Sequence, residues 1–178
     1  MTTPAWLAGK PLNEWFVISA TSGMGGAYID SWGGFALATN DLLVIAASGG
    51  HNDSYDNRVV SMDLHADAPS WTLRHSATDV GNTVIDSEYY LDGLPSSRHL
   101  YQHIHWSSVA NRVMLLGAGG VWGNGFTFHA CDGFNLDTNT WDAAGTWQST
   151  PSDQAWFGKV IDANGNGWYP GARLWTAT

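Results

Sequence analysis

The residues best suited to bind a ligand lie in a polar loop that follows the Gly-Gly pair at positions 49–50. The loop contains His51, Asn52, Asp53, Asp56 and Asn57. Imidazole, amide and carboxylate groups on a loop of a rigid scaffold can bind sugar hydroxyls or a cation. The alternative is a solvated hairpin, in which the Asn and Asp side chains make local turns.

A second loop, after Gly117-Ala118-Gly119-Gly120, contains Trp122. One interpretation is an exposed aromatic platform beside His51 and Asp53, on which a ligand could stack. The other is a tryptophan that folds back to cap the core. Both interpretations stay open at this point.

His103 and His105 have the spacing most typical of metal ligands in this sequence. Side chains two positions apart on a strand point to the same face, so both imidazoles could reach one ion. His99 and Tyr101 would continue the same alternation. Because no third ligand is identifiable, the sequence favours a ladder of polar aromatic side chains that packs on a neighbouring sheet.

Asp162, Asn164 and Asn166 match the first half of a calcium loop, D-x-N-x-N-G. The twelfth position of such a loop should be Glu, and here it is Arg173. An Asn-Gly hairpin turn explains the same residues. We therefore predict no cofactor, with Ca²⁺ as the less favoured alternative.

No catalytic motif stands out in the sequence. We find no nucleophile elbow and no phosphate-binding loop, and Glu14 and Glu88 are the only two glutamates. Cys131 is the single cysteine, which excludes an internal disulfide and a zinc site built from several cysteines. The sequence therefore leans against an enzyme.

Composition narrows the choice of partners. The 178 residues are 44% hydrophobic and 13% charged, and 16 acidic against 7 basic residues give a net charge of −9. Nucleic acid and an anionic membrane would repel such a chain, so neither is an expected partner. The first residues lack the basic region and apolar core of a signal peptide, which predicts cytoplasmic synthesis if this N terminus is native.

The elements that must position these residues form a repeat. Residues 35–50 and 105–120 each contain a strand, a polar turn, an apolar strand and Gly-Gly, at an offset of 70 positions. Trp71 and Trp141 keep the same offset. With 21 glycines and 11 tryptophans, the chain is also poor in helix formers.

The repeat predicts an all-β fold made of antiparallel four-stranded sheets, each like one propeller blade. Two full units and part of a third are expected, at residues 28–77, 96–148 and 154–178, with 78–95 as a loop between units. The alternative is an antiparallel sandwich with two similar halves.

The segment Phe134–Trp141 resembles the end of the kelch motif. Residues 49–53 and 95–101 look like those of kelch-type, galactose-oxidase-like propellers of bacteria and phages, and the resemblance covers residues 32–141. It implies a β-propeller, and closing such a ring takes roughly four to eight blades. The ring would be incomplete here, so the chain would be a fragment, or other chains would complete the ring.

The resemblance restricts function only broadly, because kelch propellers serve in binding, scaffolding and catalysis. Galactose-oxidase-like enzymes hold copper with Tyr and His and cross-link a Tyr to a Cys, but the residues around Cys131 do not resemble that site. We expect a non-enzymatic binding or structural module with a protein or glycan partner, within a larger assembly such as a virion. The alternative is a carbohydrate-active protein, a lectin or a copper oxidase, that uses its rim loops.

Overall fold

The computed structural model describes residues 3–11, 13–15, 33–47, 54–119, 126–151, 159–169 and 172–175. Within these ranges the chain forms strands and one short 3-10 turn, Val80–Asn82, without an α-helix, so the all-β prediction is confirmed. No helix in the described part of the chain is long and apolar enough to cross a membrane. The strands are β1 (Phe35–Ala38), β2 (Leu43–Ala47), β3 (Val59–Asp63), β4 (Trp71–His75), β5 (Ile104–Ser107), β6 (Arg112–Gly119), β7 (Thr127–Asn135), β8 (Thr140–Trp141), β9 (Val160–Ile161), β10 (Gly167–Tyr169) and β11 (Ala172–Trp175).

The strands form three antiparallel sheets in chain order. Sheet 1 contains β1 to β4, sheet 2 contains β5 to β8, and sheet 3 contains β9 to β11. The prediction of antiparallel four-stranded sheets is confirmed for the first two. The first strand of each sheet lies at its edge, and these first strands are neighbours, since β5 contacts both β1 and β9.

Sheets 1 and 2 are built on the same hairpin. Ala38 pairs with Leu43, Ser107 pairs with Arg112, and four residues connect each pair. The last connecting residue has a left-handed backbone in both, with φ of 48° at Leu42 and 52° at Asn111. Asparagine tolerates this region better than leucine, so sheet 2 has the more favourable residue at this turn.

The repeat offset in these first two strands is 69 positions, not 70. Ser107 takes the place of Ala38, and the hairpins match only at that spacing. The difference arises at a β-bulge between Leu116 and Ala118, where Gly117 adds one residue to β6 and has a φ of +67°. A slip of one residue moves every side chain to the other face of a strand, so the side-chain faces of these strands correspond at 69 positions and not at 70.

The main core lies between sheets 1 and 2. Its buried residues are Ala36, Ala38, Ile45, Ala47, Val59, Leu100, Ile104, Val113, Leu115, Phe134 and Leu136. Trp106 and Trp141 pack against it, as expected of tryptophans that fill the space between neighbouring sheets.

A smaller core joins sheets 2 and 3. Met114, Leu116 and Cys131 of sheet 2 contact Ile161 and Tyr169 of sheet 3. Burial raises the pKa of the Cys131 thiol to about 12, so this cysteine is a small apolar core residue at neutral pH.

Candidate functional site

The predicted binding loops are only partly described by the structure. His51, Asn52, Asp53 and Trp122 lie outside the described residues. The Asp56 carboxylate forms an ion pair with the Arg58 side chain and accepts a hydrogen bond from the Arg58 backbone N–H at 3.0 Å. Asp56 therefore stabilises a local turn, which is the role that the hairpin alternative gives it.

Asn57 anchors this loop to the segment between the units. Its Nδ2 donates to Thr78 Oγ1 at 3.0 Å and to the Pro95 carbonyl at 2.9 Å, and its Oδ1 accepts from the Thr78 N–H at 2.8 Å. The side chain is buried. The loop before β3 is thus fastened to residues 78–95 by three hydrogen bonds.

The segment 78–95 is folded back on itself. Tyr89 bridges to Pro95, and the Tyr90 N–H donates to the Leu94 carbonyl at 2.9 Å. The buried Tyr90 hydroxyl donates to the Tyr55 carbonyl at 2.8 Å and accepts from the Ser97 N–H at 3.2 Å. Burial raises the pKa of Tyr90 to about 12, which keeps this hydroxyl a donor.

Arg98 is a fully buried cation with several protein partners. Its guanidinium is buried and forms an ion pair with Asp132, with 2.8 Å between Nη2 and Oδ2. Nη1 donates to the Ala130 carbonyl at 3.1 Å, and the guanidinium carbon lies 4.5 Å from the centre of the Phe128 ring. We call Glu88, Tyr89, Arg98, Phe128 and Asp132 the Arg98 cluster.

Two residues of the preceding segment complete the Arg98 cluster. The Tyr89 hydroxyl donates to Asp132 Oδ1 at 3.0 Å, and Glu88 Oε1 accepts from the N–H groups of His129 and Ala130 at 2.7 and 3.2 Å. Burial raises the pKa of Asp132, although Arg98 opposes that shift. The cluster fixes the inter-unit segment to β7 of sheet 2.

The space beside the Arg98 cluster is too small for a substrate. The cavity there has a volume of about 10 Å³, roughly that of one water molecule, and Tyr55, Tyr90, Ser97 and Phe128 are among the residues that line it. The charged groups of the cluster are already paired with each other or with backbone groups. We interpret the cluster as structural.

Sequence reasoning missed this cluster because its members have no local pattern. Arg98 and Asp132 are 34 positions apart, and Asp132 lies in a strand that reads as apolar. The single available signal was an aspartate at a strand position where sheet 1 has an apolar residue.

His103 and His105 occupy the boundary between sheets 2 and 3, but the predicted four-residue ladder does not form. Tyr101 has a φ of 44°, and a turn closes where the His103 N–H donates to the Leu100 carbonyl at 2.5 Å. β5 begins only at Ile104, so His99 and Tyr101 do not continue its alternation. The ladder prediction was therefore wrong, because a left-handed residue interrupts the strand.

His103 is buried in a basic environment. Burial, followed by the charges of Lys159 and His105, lowers the pKa of His103 to about 4. Burial lowers the pKa of His105 as well and lowers that of Lys159 to about 8. In the described ranges no three His, Cys, Asp or Glu side chains come close enough to hold a metal ion, and two histidines alone are too few ligands.

Asp162, Asn164 and Asn166 form the hairpin turn between β9 and β10. Asp162 Oδ1 accepts from the backbone N–H groups of Asn164 and Asn166, both at 2.9 Å, and Oδ2 accepts from the indole N–H of Trp168 at 2.8 Å. These hydrogen bonds, above all those from the Asn166 side chain, lower the pKa of Asp162 to about 2. Both carboxylate oxygens thus bind donors of the turn itself, which favours the hairpin over the calcium loop.

Comparison with known proteins leaves the family open. No protein-family model and no curated protein matches the chain. Among solved structures, the chain is similar to that of YjhT, at 15% identity and a TM-score of 0.49. The match covers 79% of this chain and 34% of that one, so the chain spans about a third of the length of YjhT.

Proposed function

We propose that this chain is a kelch-like, propeller-type module for binding or structural support, and that it acts within a larger assembly. The observation that carries the proposal is the arrangement of the three sheets. Each begins with its edge strand, and these first strands lie side by side. Propeller blades have this arrangement around a common axis.

The use of the described polar groups supports a scaffold rather than a catalyst. The Arg98 cluster attaches the inter-unit segment to sheet 2, Asn57 attaches the loop before β3, and Asp162 stabilises a hairpin. In each case the polar atoms bind protein partners and leave no pair of groups poised for proton transfer on a substrate.

The ends of β2 and β6 support a shared binding surface. These strands are equivalent members of sheets 1 and 2. Ala47 and Gly119, at which they end, therefore lie on the same side of the two sheets. The two loops that follow contain His51, Asp53 and Trp122. We propose that these three side chains form the surface that binds a glycan or a protein.

A glycan array with a parallel assay for galactoside oxidation in the presence of copper tests this function. We expect binding without turnover, and loss of binding in Trp122→Ala with an unchanged melting temperature. The matched control is Leu91→Ala, because Leu91 is exposed in the inter-unit segment. Copper-dependent turnover would contradict a non-enzymatic module, and a fall of several degrees in the Trp122→Ala melting temperature would place Trp122 in the core.

A further inference from the structure

A groove beside the β1–β2 hairpin of sheet 1 has the size of a small-molecule site. Its volume is about 320 Å³, and ligand pockets begin at roughly 300 Å³. We call it the hairpin groove. Among the described residues that line it, His65 is the only one with an ionisable side chain, and the lining is otherwise mostly apolar. The residues that carry the argument are Pro4, Trp6, Leu7, Leu42, Leu64 and His65.

One wall of the hairpin groove, residues 4–7, is attached to the turn after β3. The Trp6 indole N–H donates to the Leu64 carbonyl at 3.0 Å, and the Ala5 N–H donates to Asp67 Oδ1 at 2.7 Å. These two hydrogen bonds fix the wall beside the sheet without any ligand. A site that is already formed loses less entropy when a ligand binds.

The turns after β3 and β7 place His65 and Asp137 at equivalent positions. Asp63 Oδ1 accepts from the His65 N–H at 2.7 Å, and Asn135 Oδ1 accepts from the Asp137 N–H at 2.9 Å. Sheets 1 and 2 therefore turn in the same way here, and their side chains can be compared one by one.

The comparison shows that sheet 2 closes with a polar pair the place where sheet 1 has a groove. Asn111 Nδ2 donates to Asp137 Oδ2 at 2.6 Å. The equivalent residues of sheet 1 are Leu42 and His65, and both line the hairpin groove. Sheet 1 thus has an apolar opening at a position that its repeat can fill.

Leu42 is held in an unfavourable backbone conformation at this opening. Its φ of 48° is left-handed, a region that leucine occupies at a cost and asparagine tolerates. Its side chain is 36% exposed, so full burial does not offset that cost. Residues in such conformations cluster at ligand sites, where the side chain that they present has a use.

The surroundings of the hairpin groove disfavour a charged ligand. Asp63 and Asp67 are exposed carboxylates in the same turn as Leu64 and His65, and the chain has a net charge of −9. An anion would be repelled by these charges. A cation would lose its hydration against a mostly apolar lining, which leaves a neutral molecule as the ligand that fits.

We propose that the hairpin groove binds a small neutral aromatic molecule of one or two rings. Its rings pack against Trp6 and Leu42, and His65 is available for one hydrogen bond. This site goes beyond the proposed glycan or protein surface. Leu42 precedes β2, whereas the loop that contains His51 and Asp53 follows the end of β2.

Fluorescence titration of the 178-residue chain with two related probes tests the ligand class. N-phenyl-naphthylamine is neutral, and anilinonaphthalene sulfonate carries the same rings with an added negative charge. We expect saturable binding of the neutral probe, and binding of the sulfonate that is weaker by roughly tenfold. Equal affinity for the two probes, or no saturable binding of the neutral one, would overturn the proposal.

Variants of the repeat test the position of the site. Leu42→Asn should weaken binding of the neutral probe by roughly tenfold and leave the melting temperature unchanged or raised, because asparagine tolerates the left-handed turn. Leu42→Asn/His65→Asp recreates the polar pair of sheet 2 and should abolish binding. Trp6→Ala removes an aromatic side chain outside the sheets and should weaken binding as well.

The matched control is Val109→Asn, because Val109 is an exposed apolar residue in the equivalent hairpin of sheet 2. It should bind the neutral probe like the wild type. An equal loss in this control, or wild-type affinity in both Leu42→Asn and Trp6→Ala, would show that the probe binds elsewhere and would overturn the proposal. Glycan binding by a chain that does not bind the probe would leave the proposed function standing, so the two failures are distinguishable.

Discussion

Equivalent faces of sheets 1 and 2 differ in burial although their residue types are alike. Phe35, Val44 and Trp71, on the face of sheet 1 that points away from sheet 2, correspond to Ile104, Val113 and Trp141 in sheet 2. Phe35 is 47% exposed, whereas Ile104 is 3% exposed. An apolar pattern in a strand thus indicates a face that can be buried. Whether that face is buried depends on the sheet that lies next to it.

The two sheets also differ at one polar position. Val60 pairs with Ala46 in sheet 1, and Asp132 pairs with Leu115 at the equivalent place in sheet 2. Asp132 is tolerated in the core because Arg98 and Tyr89 bind both of its oxygens. Sheet 2 is thus adapted to hold the inter-unit segment, which the loop before β3 also contacts through Asn57.

The largest expected effect comes from breaking the pair that distinguishes sheet 2. Arg98→Met leaves the Asp132 carboxylate buried without its ion pair and should lower the free energy of unfolding by about 3–5 kcal/mol. The double variant Arg98→Met/Asp132→Val makes sheet 2 resemble sheet 1 and should recover most of that loss. Urea denaturation measures both changes.

A second ion pair serves as the control that separates the effect of burial from the effect of losing a charge. The pair of Arg112 and Asp142, at 3.0 Å, is more exposed than the pair of Arg98 and Asp132, with side chains 22% and 18% exposed against 0% and 5%. Arg112→Met should therefore cost clearly less than Arg98→Met. If the double variant is no more stable than Arg98→Met, the isolated charge is not the cause of the loss.

The next prediction compares a buried residue of sheet 2 with the exposed residue at the equivalent position of sheet 1. Ile104→Ala removes a fully packed side chain from the main core and should cost about 3 kcal/mol. Phe35→Ala, at the equivalent position on the outer face of sheet 1, should cost less than about 1 kcal/mol, because Phe35 is 47% exposed. Equal losses in thermal unfolding would show that the two faces are equally covered.

The strands were predictable from sequence because they depend on local patterns. The apolar runs at β2 and β6 and the tryptophans at 71 and 141 lie in strands, and an Asn-Gly hairpin follows β9, as the sequence patterns predict. The faces were not predictable from the repeat alone. Gly117 enters β6 as a bulge, and a Cβ there would approach the Phe128 carbonyl to 2.8 Å, so the extra residue must be glycine.

The candidate site was less predictable because its contacts are long-range. Arg98 reaches Asp132 across 34 positions and Asn57 reaches Pro95 across 38, without a spacing that a local motif could reveal. The histidine ladder failed for a different reason, since a single left-handed residue, Tyr101, separates a turn from β5. Backbone conformation at one residue is weakly encoded when that residue is not glycine.

The smallest expected effect concerns pH, and it again separates the two sheets. His103 lies 69 positions after Gly34, so sheet 1 has no titratable group at the equivalent place. The pKa of His103 is about 4 in the folded chain and 6.5 in its ordinary state. Between those values the unfolded chain binds a proton that the folded chain does not, so stability falls as the pH falls.

His103 should therefore destabilise the fold by about 2 kcal/mol between pH 7 and pH 5. The pKa of Asp162, about 2, and that of Lys159, about 8, place their effects outside this window, whereas His105 acts in the same direction as His103. His103→Leu keeps the volume and removes the proton site, so it should flatten the dependence of the unfolding midpoint on pH. An unchanged slope in that variant would show that the acid sensitivity does not arise at His103.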